Sequence, residues 1–332
     1  MALKAVDIAK ALGISKATVS LALNNRPGVG SATKNKILAY KRSHEKSFET
    51  RAVASEHQVI KLVLFSKNYR IITGDEIDMW SDVNACYDSL AKEFGYVLEV
   101  VFFTVGRDRV LDLYKLCNAD NVCGVIVGGA ELDKSDRQLL EPIKKPLVIY
   151  DADLGDDLCS VQLDNFNSAF KAAEYLFSQG YSNILYLARD MDIYNYEQRR
   201  LGFECFCANH ASNAKGQILK QGQSIPELCE ALSAVLRAPK RPQAILAESF
   251  HGSLASLNMC AKLNLNIPFD LFLLGIDDIP EYMTGGVHFP TVSMPHRQRP
   301  YWVMQMLRLE MGATLTEVKP KVLVPSTLKF ND

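Results

Sequence analysis

Asp277 and Asp278 stand side by side after an apolar run, a pairing that invites an acid–base reading. Adjacent side chains at the end of an extended segment point apart, so they make a poor proton-transfer dyad. Histidines at 44, 57, 210, 251, 288 and 296 keep no metal-ligand spacing. Cysteines at 86, 117, 123, 159, 205, 207, 229 and 260 contain no C-x-x-C pair. The chain also has no G-x-G-x-x-G after an apolar run, no G-x-x-x-x-G-K-[ST], no H-E-x-x-H and no G-x-S-x-G. No catalytic residue, metal ligand or cofactor is therefore expected, and the cysteines are expected to be reduced thiols, several of them in the core.

The chemistry that remains is recognition. Residues 1–44 hold eight Lys or Arg (Lys4, Lys10, Lys16, Arg26, Lys34, Lys36, Lys41 and Arg42) against the single acid Asp7. The whole chain carries a formal net charge of −1, so the remainder is acidic. Locally clustered cations suit a polyanion such as double-stranded DNA, and a solvated basic terminus is the plainer alternative.

The elements needed to present those cations are legible. Apolar residues at 5, 8, 9 and 12 form one stripe of a short helix, and Gly13 supplies the turn after it. Ser15 is placed to cap a second helix through Asn24, with Val19, Ala22 and Leu23 facing inward. Two short helices joined by a glycine turn are a helix-turn-helix, and a surface helical hairpin is the competing reading. Lys16, Ala17, Ser20, Leu21 and Asn24 then project outward, where the start of the second helix meets base edges in a major groove. Lys16 suits guanine or phosphate and Ala17 a thymine methyl, whereas Thr18, Ser20, Asn24 and Thr33 suit phosphate oxygens.

The run "VDIAKALGISKATVSLALNNRPGVGSATKNKIL" resembles the DNA-binding head of the lactose-repressor and galactose-repressor (LacI/GalR) family. The resemblance implies a third helix at about 31–42 with Ile37 in a small core, and adds Lys4 and Ser15 to the DNA-facing set. Two departures stand out. Where most of that family has an arginine after T-V-S, this chain has Leu21, which cannot hydrogen-bond guanine. The linker "RSHEKSFETRAVASEHQVI" has no Gly, Pro or Leu where the family has a hinge helix with a wedging leucine. Val53 either takes the wedge's place or the linker stays out of the minor groove.

From residue 60 the pattern becomes short apolar runs, at 60–65, 97–103, 122–127, 147–150, 184–187, 244–247 and 271–275. Between them lie amphipathic stretches at about 79–94, 107–118, 135–141, 167–179, 196–209, 225–236 and 251–263. Such alternation implies parallel sheets covered on both faces. The family resemblance continues through "VQLDNFNSAFKAAEYLFSQGYSNILYLA", "RRLGF", "LFLLGIDDIPEYMTGG" and "FPTVSMP", and implies a sugar-binding-protein-like effector domain whose final segment, 290–325, returns to the first lobe.

The expected architecture is an all-α helix-turn-helix head, 1–43, a linker, 44–59, and an α/β periplasmic-binding-protein-like two-lobed body with parallel sheets, 60–332. Lobe one takes about 60–160 and 290–325, and lobe two about 161–289. By the resemblance Arg199 reaches a sugar hydroxyl and Asp277 accepts from one; alternatively Arg199 pairs with an acid and Asp277 caps a turn. Glu248 stands where the family has A-N-D, reading either as a hydroxyl acceptor or as a helix N-terminal acid. Phe250 adds an apolar floor, and Trp80 either stacks on a sugar or fills the core. Together these features suggest a homodimeric repressor on a palindromic operator, governed by a small-molecule effector of carbohydrate type. The lack of a signal-peptide pattern and of an apolar run of roughly 18 residues suggests a cytoplasmic protein without a membrane segment. The rival readings are a periplasmic-type solute-binding protein and a sugar-metabolising α/β enzyme.

Overall fold

The computed structural model describes residues 9, 14–23, 29–30, 33, 37, 58–68, 77–210, 215–312 and 319–330, with the side chains of 17, 20, 22–23 and 77–82 outside that description. The first described helix, α1, is Lys16–Leu23. Ser15 caps it: its hydroxyl accepts from the Thr18 N–H at 3.0 Å and lies 2.8 Å from the Thr18 hydroxyl. Ile14 N–H donates to Ala9 at 3.0 Å. Ala9, Val19 and Ile37 are buried, as the inward stripe requires.

The body begins with β1 (Val59–Ser66), α2 (Ile77–Glu93), β2 (Val97–Thr104), α3 (Val110–Cys117), β3 (Val122–Gly128), β4 (Leu147–Tyr150) and β5 (Cys159–Leu163). It continues with α4 (Asn165–Ser178), β6 (Asn183–Ala188), α5 (Tyr194–Asn209), β7 (Lys215–Lys220), α6 (Ile225–Arg237), β8 (Ala244–Ala247), α7 (Phe250–Lys262) and β9 (Phe272–Ile276). The last elements are α8 (Glu281–Thr284), β10 (Thr291–Ser293), α9 (Arg299–Met311), β11 (Lys321–Val324) and β12 (Thr327–Lys329). Two six-stranded sheets result, in the orders β11-β5-β4-β3-β1-β2 and β12-β10-β9-β8-β6-β7. Every pairing is parallel except β10 with β12.

Burial on both faces explains the unbroken apolar runs. In β1, Ile60, Leu62 and Leu64 pack toward Val83 and Tyr87 of α2 and Val303 and Leu307 of α9. The alternate residues Val59, Val63 and Phe65 pack toward Leu113 and Cys117 of α3. The second sheet repeats this with Ile184 and Tyr186 against Phe203 and Phe206 of α5, and Leu185 and Leu187 against Leu228 and Leu232 of α6.

The chain passes between the sheets three times, after β5, after β10 and after β11. Its final segment therefore does not simply rejoin the first lobe at 290. β10 pairs with β9 and completes the second sheet, β11 pairs with β5 in the first, and β12 returns to the second. Val292 is buried in the second sheet's core, which holds β10 there. The stretch expected to be helical at 135–141 is a 3-10 turn, Lys134–Leu139, opened by a capping box between Asp133 and Asp136.

Candidate functional site: the facing strand ends

In open parallel sheets, ligands lie beyond the carboxyl ends of the strands. The side chains gathered at those ends are charged, and most of them are buried. Arg199, on α5, is 4% exposed. Its Nε donates to Asn165 Oδ1 at 2.8 Å, its Nη1 to the Glu248 carbonyl at 2.7 Å and to Asp277 Oδ2 at 3.0 Å, and its Nη2 to Asp277 Oδ1 at 3.3 Å. Asn165 opens α4 directly after the first crossover, so Arg199 also ties the crossover to the second sheet.

Gly202 makes this placement possible. A Cβ there would lie 2.1 Å from the Phe166 carbonyl oxygen, so only glycine lets α5 approach α4 closely enough for Arg199 to reach Asn165. Asp277 follows β9 in the left-handed backbone region at φ 78°. Burial opposes the Asp277 charge, but Arg199 and His296 hold its carboxyl well below the usual range. His296 Nε2 stands 3.4 Å from Asp277 Oδ1 and belongs to the second crossover. Asp278, by contrast, turns outward to Thr291, Ser293 and Lys329. The two aspartates do point apart.

Glu248 is almost wholly buried, and its carboxylate is held within the protein. Tyr186 Oη donates to its Oε1 at 3.1 Å and the Arg189 N–H to its Oε2 at 3.1 Å. Burial pushes its carboxyl up to about 7 against the pull of those donors and of Arg199. Both of its oxygens are thus engaged inside the protein, one of them by a tyrosine hydroxyl from the neighbouring strand. Phe250 is half-buried at the start of α7, its ring edge-on to His251 with centroids 4.7 Å apart. Trp80 lies on α2, but its side chain is outside the described residues.

Several residues at these ends escaped sequence reading. Arg189 follows β6 and donates from Nε to the Gln223 carbonyl at 2.9 Å and from Nη1 to Tyr196 Oη at 3.1 Å, with His251 Nδ1 3.4 Å away. Burial, and then Arg189, lowers the His251 imidazole to about 4. In the first lobe Asp151 follows β4 at φ 60°, and Arg299 Nη1 donates to both its oxygens at 2.6 Å. The Arg299 guanidinium also lies 4.9 Å from the Tyr150 ring centroid. The strand-end rule that selects Asp277 selects Arg189 and Asp151 as well. A groove of about 390 Å³ involving Leu147, Leu158, Cys159 and Lys319 opens at the opposite, amino ends of β4 and β5, away from this cluster.

In the head, Ser15 and Lys16 are exposed, while Thr18, Leu21 and Thr33 are half-buried. Lys4, Asn24 and Val53 lie outside the described residues, as do the side chains of Ala17 and Ser20.

Residues 70–266 match the model of the periplasmic binding proteins and sugar binding domain of the LacI family, and residues 5–45 that of the bacterial regulatory proteins of the lacI family. The chain belongs to the LacI family. Among LacI-family relatives, it is 23% identical to the HTH-type transcriptional repressor CytR of Escherichia coli (strain K12), over 87% of this chain and 84% of that protein. Its fold matches the lac repressor dimer bound to operator and the anti-inducer ONPF, at TM-score 0.69 and 18% identity, over 99% and 98% of the two chains. It also matches a transcriptional regulator CelR–cellobiose complex, at TM-score 0.68 and 18% identity, over 97% of each chain. Among the described residues no helix is long and apolar enough to cross a membrane.

Proposed function

We propose that this LacI-family chain is a sequence-specific repressor that binds double-stranded DNA as a homodimer and is released or recruited by a small molecule, of carbohydrate type, held between its lobes. The observation that carries this reading is the conjunction of a capped helix-turn-helix helix with the buried Arg199–Asp277 pair at the facing strand ends of one chain. One short head buries too little surface for operator affinity, so two heads on a palindrome supply it. Lys4, Ser15, Lys16, Ala17, Thr18, Ser20, Leu21, Asn24 and Thr33 form the DNA face. Lys16 and Leu21 meet base edges, and the hydroxyls set register on phosphates.

Effector contact falls to Asp277, Arg199, Phe250 and Trp80. With both Asp277 oxygens already engaged by Arg199, the two act as one preformed unit that presents the carboxylate's remaining lone pairs to hydroxyl groups. Effector binding closes the lobes, and closure shifts the population of head arrangements that can span the operator. The protein works in the cytoplasm and performs no chemistry on its ligand. Selection of genomic DNA fragments by the purified full chain tests this: a palindromic consensus is expected, and indifferent binding to all fragments overturns it.

A further inference from the structure

Glu248 prolongs the contact of β8 with β6 beyond their last ladder pair, Leu187 with Ala247. Its N–H donates to the Leu187 carbonyl at 3.0 Å, its carboxylate accepts from the Arg189 N–H and from Tyr186 Oη, and its own carbonyl accepts from Arg199 Nη1. One residue thus touches the main chain of one cleft arginine and the guanidinium of the other. The strand-end acids Asp277 and Asp151 each have a guanidinium against the carboxylate. Among the described residues no cation lies within ion-pairing distance of the Glu248 carboxylate.

We propose that Glu248 is a positioning residue of the effector cleft, whose buried side chain fixes the Arg189 end of β6 and whose ionisation sets the charge of the wall carrying Arg189 and Arg199. The inference rests on the effector site proposed above. The titratable and charged groups around Glu248 are Tyr186 and Arg189 from β6 and its end, and Arg199 and Arg200 from α5. Asp277 and His251 are reached through Arg199 and Arg189 respectively.

The hydrogen-bond pattern accommodates both protonation states. As a carboxylate, Glu248 accepts from both Tyr186 and Arg189. As a neutral acid it donates to the Tyr186 oxygen and still accepts from Arg189. The bonds survive while the charge of the wall changes by one unit, so neutral Glu248 leaves a more cationic surface, better suited to electron-rich ligand groups. The change falls near neutrality because burial raises the carboxyl from 4.5 to about 7.

Between 4.5 and about 7 the folded chain keeps a proton that the unfolded chain releases. The Glu248 contribution is fully present below 4.5 and is lost as pH rises through about 7.

Urea unfolding of the full chain and of Glu248→Gln, from about pH 4.5 to about pH 8.5, reads this without DNA or effector. The wild-type folding constant is expected to fall relative to the variant by up to about tenfold per pH unit inside the window and to level off above it. The Arg189 amide resonance, followed by ¹⁵N NMR, is expected to titrate with the same midpoint in wild type and to stay fixed in the variant. A pH-independent difference, or an Arg189 amide that titrates alike in both, overturns the proposal. Should Glu248→Gln fail to fold, Tyr186→Phe serves: losing that donor must move the Arg189 midpoint to higher pH, and an unmoved midpoint overturns the proposal. Because neither readout involves DNA or effector, failure here is distinct from failure of the repressor reading.

Discussion

Arg199 offers Nη1 and Nη2 to the two oxygens of Asp277 at 3.0 and 3.3 Å, a two-pronged pair of a buried guanidinium and a half-buried carboxylate. Planar fork and carboxylate match in shape, and the left-handed backbone at Asp277 turns the carboxylate back toward α5. The pair joins α5, β9 and, through Asn165, the first crossover.

Asp277→Asn should leave Arg199 buried with its charge uncompensated. A loss of about 3–5 kcal/mol is expected from urea unfolding, the usual cost of removing one partner of a buried pair. Arg199→Ala and Asp277→Ala should each abolish the effector response, read as effector-dependent change in operator affinity at a temperature where the variant stays folded. A normal effector titration in both would remove the pair from the site.

The first-lobe pair can be dissected in the same way, because Asp151 has two separable properties. Asp151→Asn keeps a residue that tolerates its φ of 60° and loses only the charge facing Arg299. Asp151→Val loses both, and should be less stable than Asp151→Asn by a further ~1–2 kcal/mol from backbone strain. Equal midpoints for the two variants would contradict the left-handed conformation.

His251 should make the protein acid-sensitive. Its imidazole is lowered from 6.5 to about 4, so its stabilising contribution is present above 6.5 and is lost as pH falls toward 4, amounting to about 3 kcal/mol at most. Glu248 acts oppositely over nearly the same interval. Wild type should therefore change little in stability between about pH 7 and pH 5, whereas Glu248→Gln should weaken steadily as pH falls. Urea midpoints at the two pH values decide it, and a Glu248→Gln midpoint as flat as that of wild type would refute the opposition.

Leu21 bears on which operator is chosen. Leu21→Arg restores a side chain that can bond guanine O6 and N7, so fragment selection with the variant should shift toward guanine at one position in each half-site, with about 1–3 kcal/mol of discrimination. An unchanged consensus would place Leu21 away from the bases.

Much of this fold is legible in sequence because burial on both sheet faces leaves apolar runs, as in residues 62–65 of β1 and in Ala244–Ala247. Strands without such runs are silent. β5 carries Ser160 and Gln162, whose burial depends on hydrogen bonds within the lobe, including Gln162 Nε2 to the Ala152 carbonyl at 3.0 Å. β7 is an edge strand with most of its residues exposed. Among the strand-end residues, Asp277 and Arg199 are singled out in sequence only by the resemblance to the LacI/GalR family. The inward turn of Glu248 is not legible in sequence, since it depends on a tyrosine one strand away, nor is the partnership of Asp151 with Arg299, which lie 148 residues apart.

Whether two helix-turn-helix heads grip one palindrome is decided by titrating the full chain against the selected operator and against a single half-site at several salt concentrations. Tight binding to the palindrome, far weaker binding to the half-site and a steep loss of affinity with salt are expected. Equal affinity for the two DNAs, or affinity indifferent to salt, would contradict it.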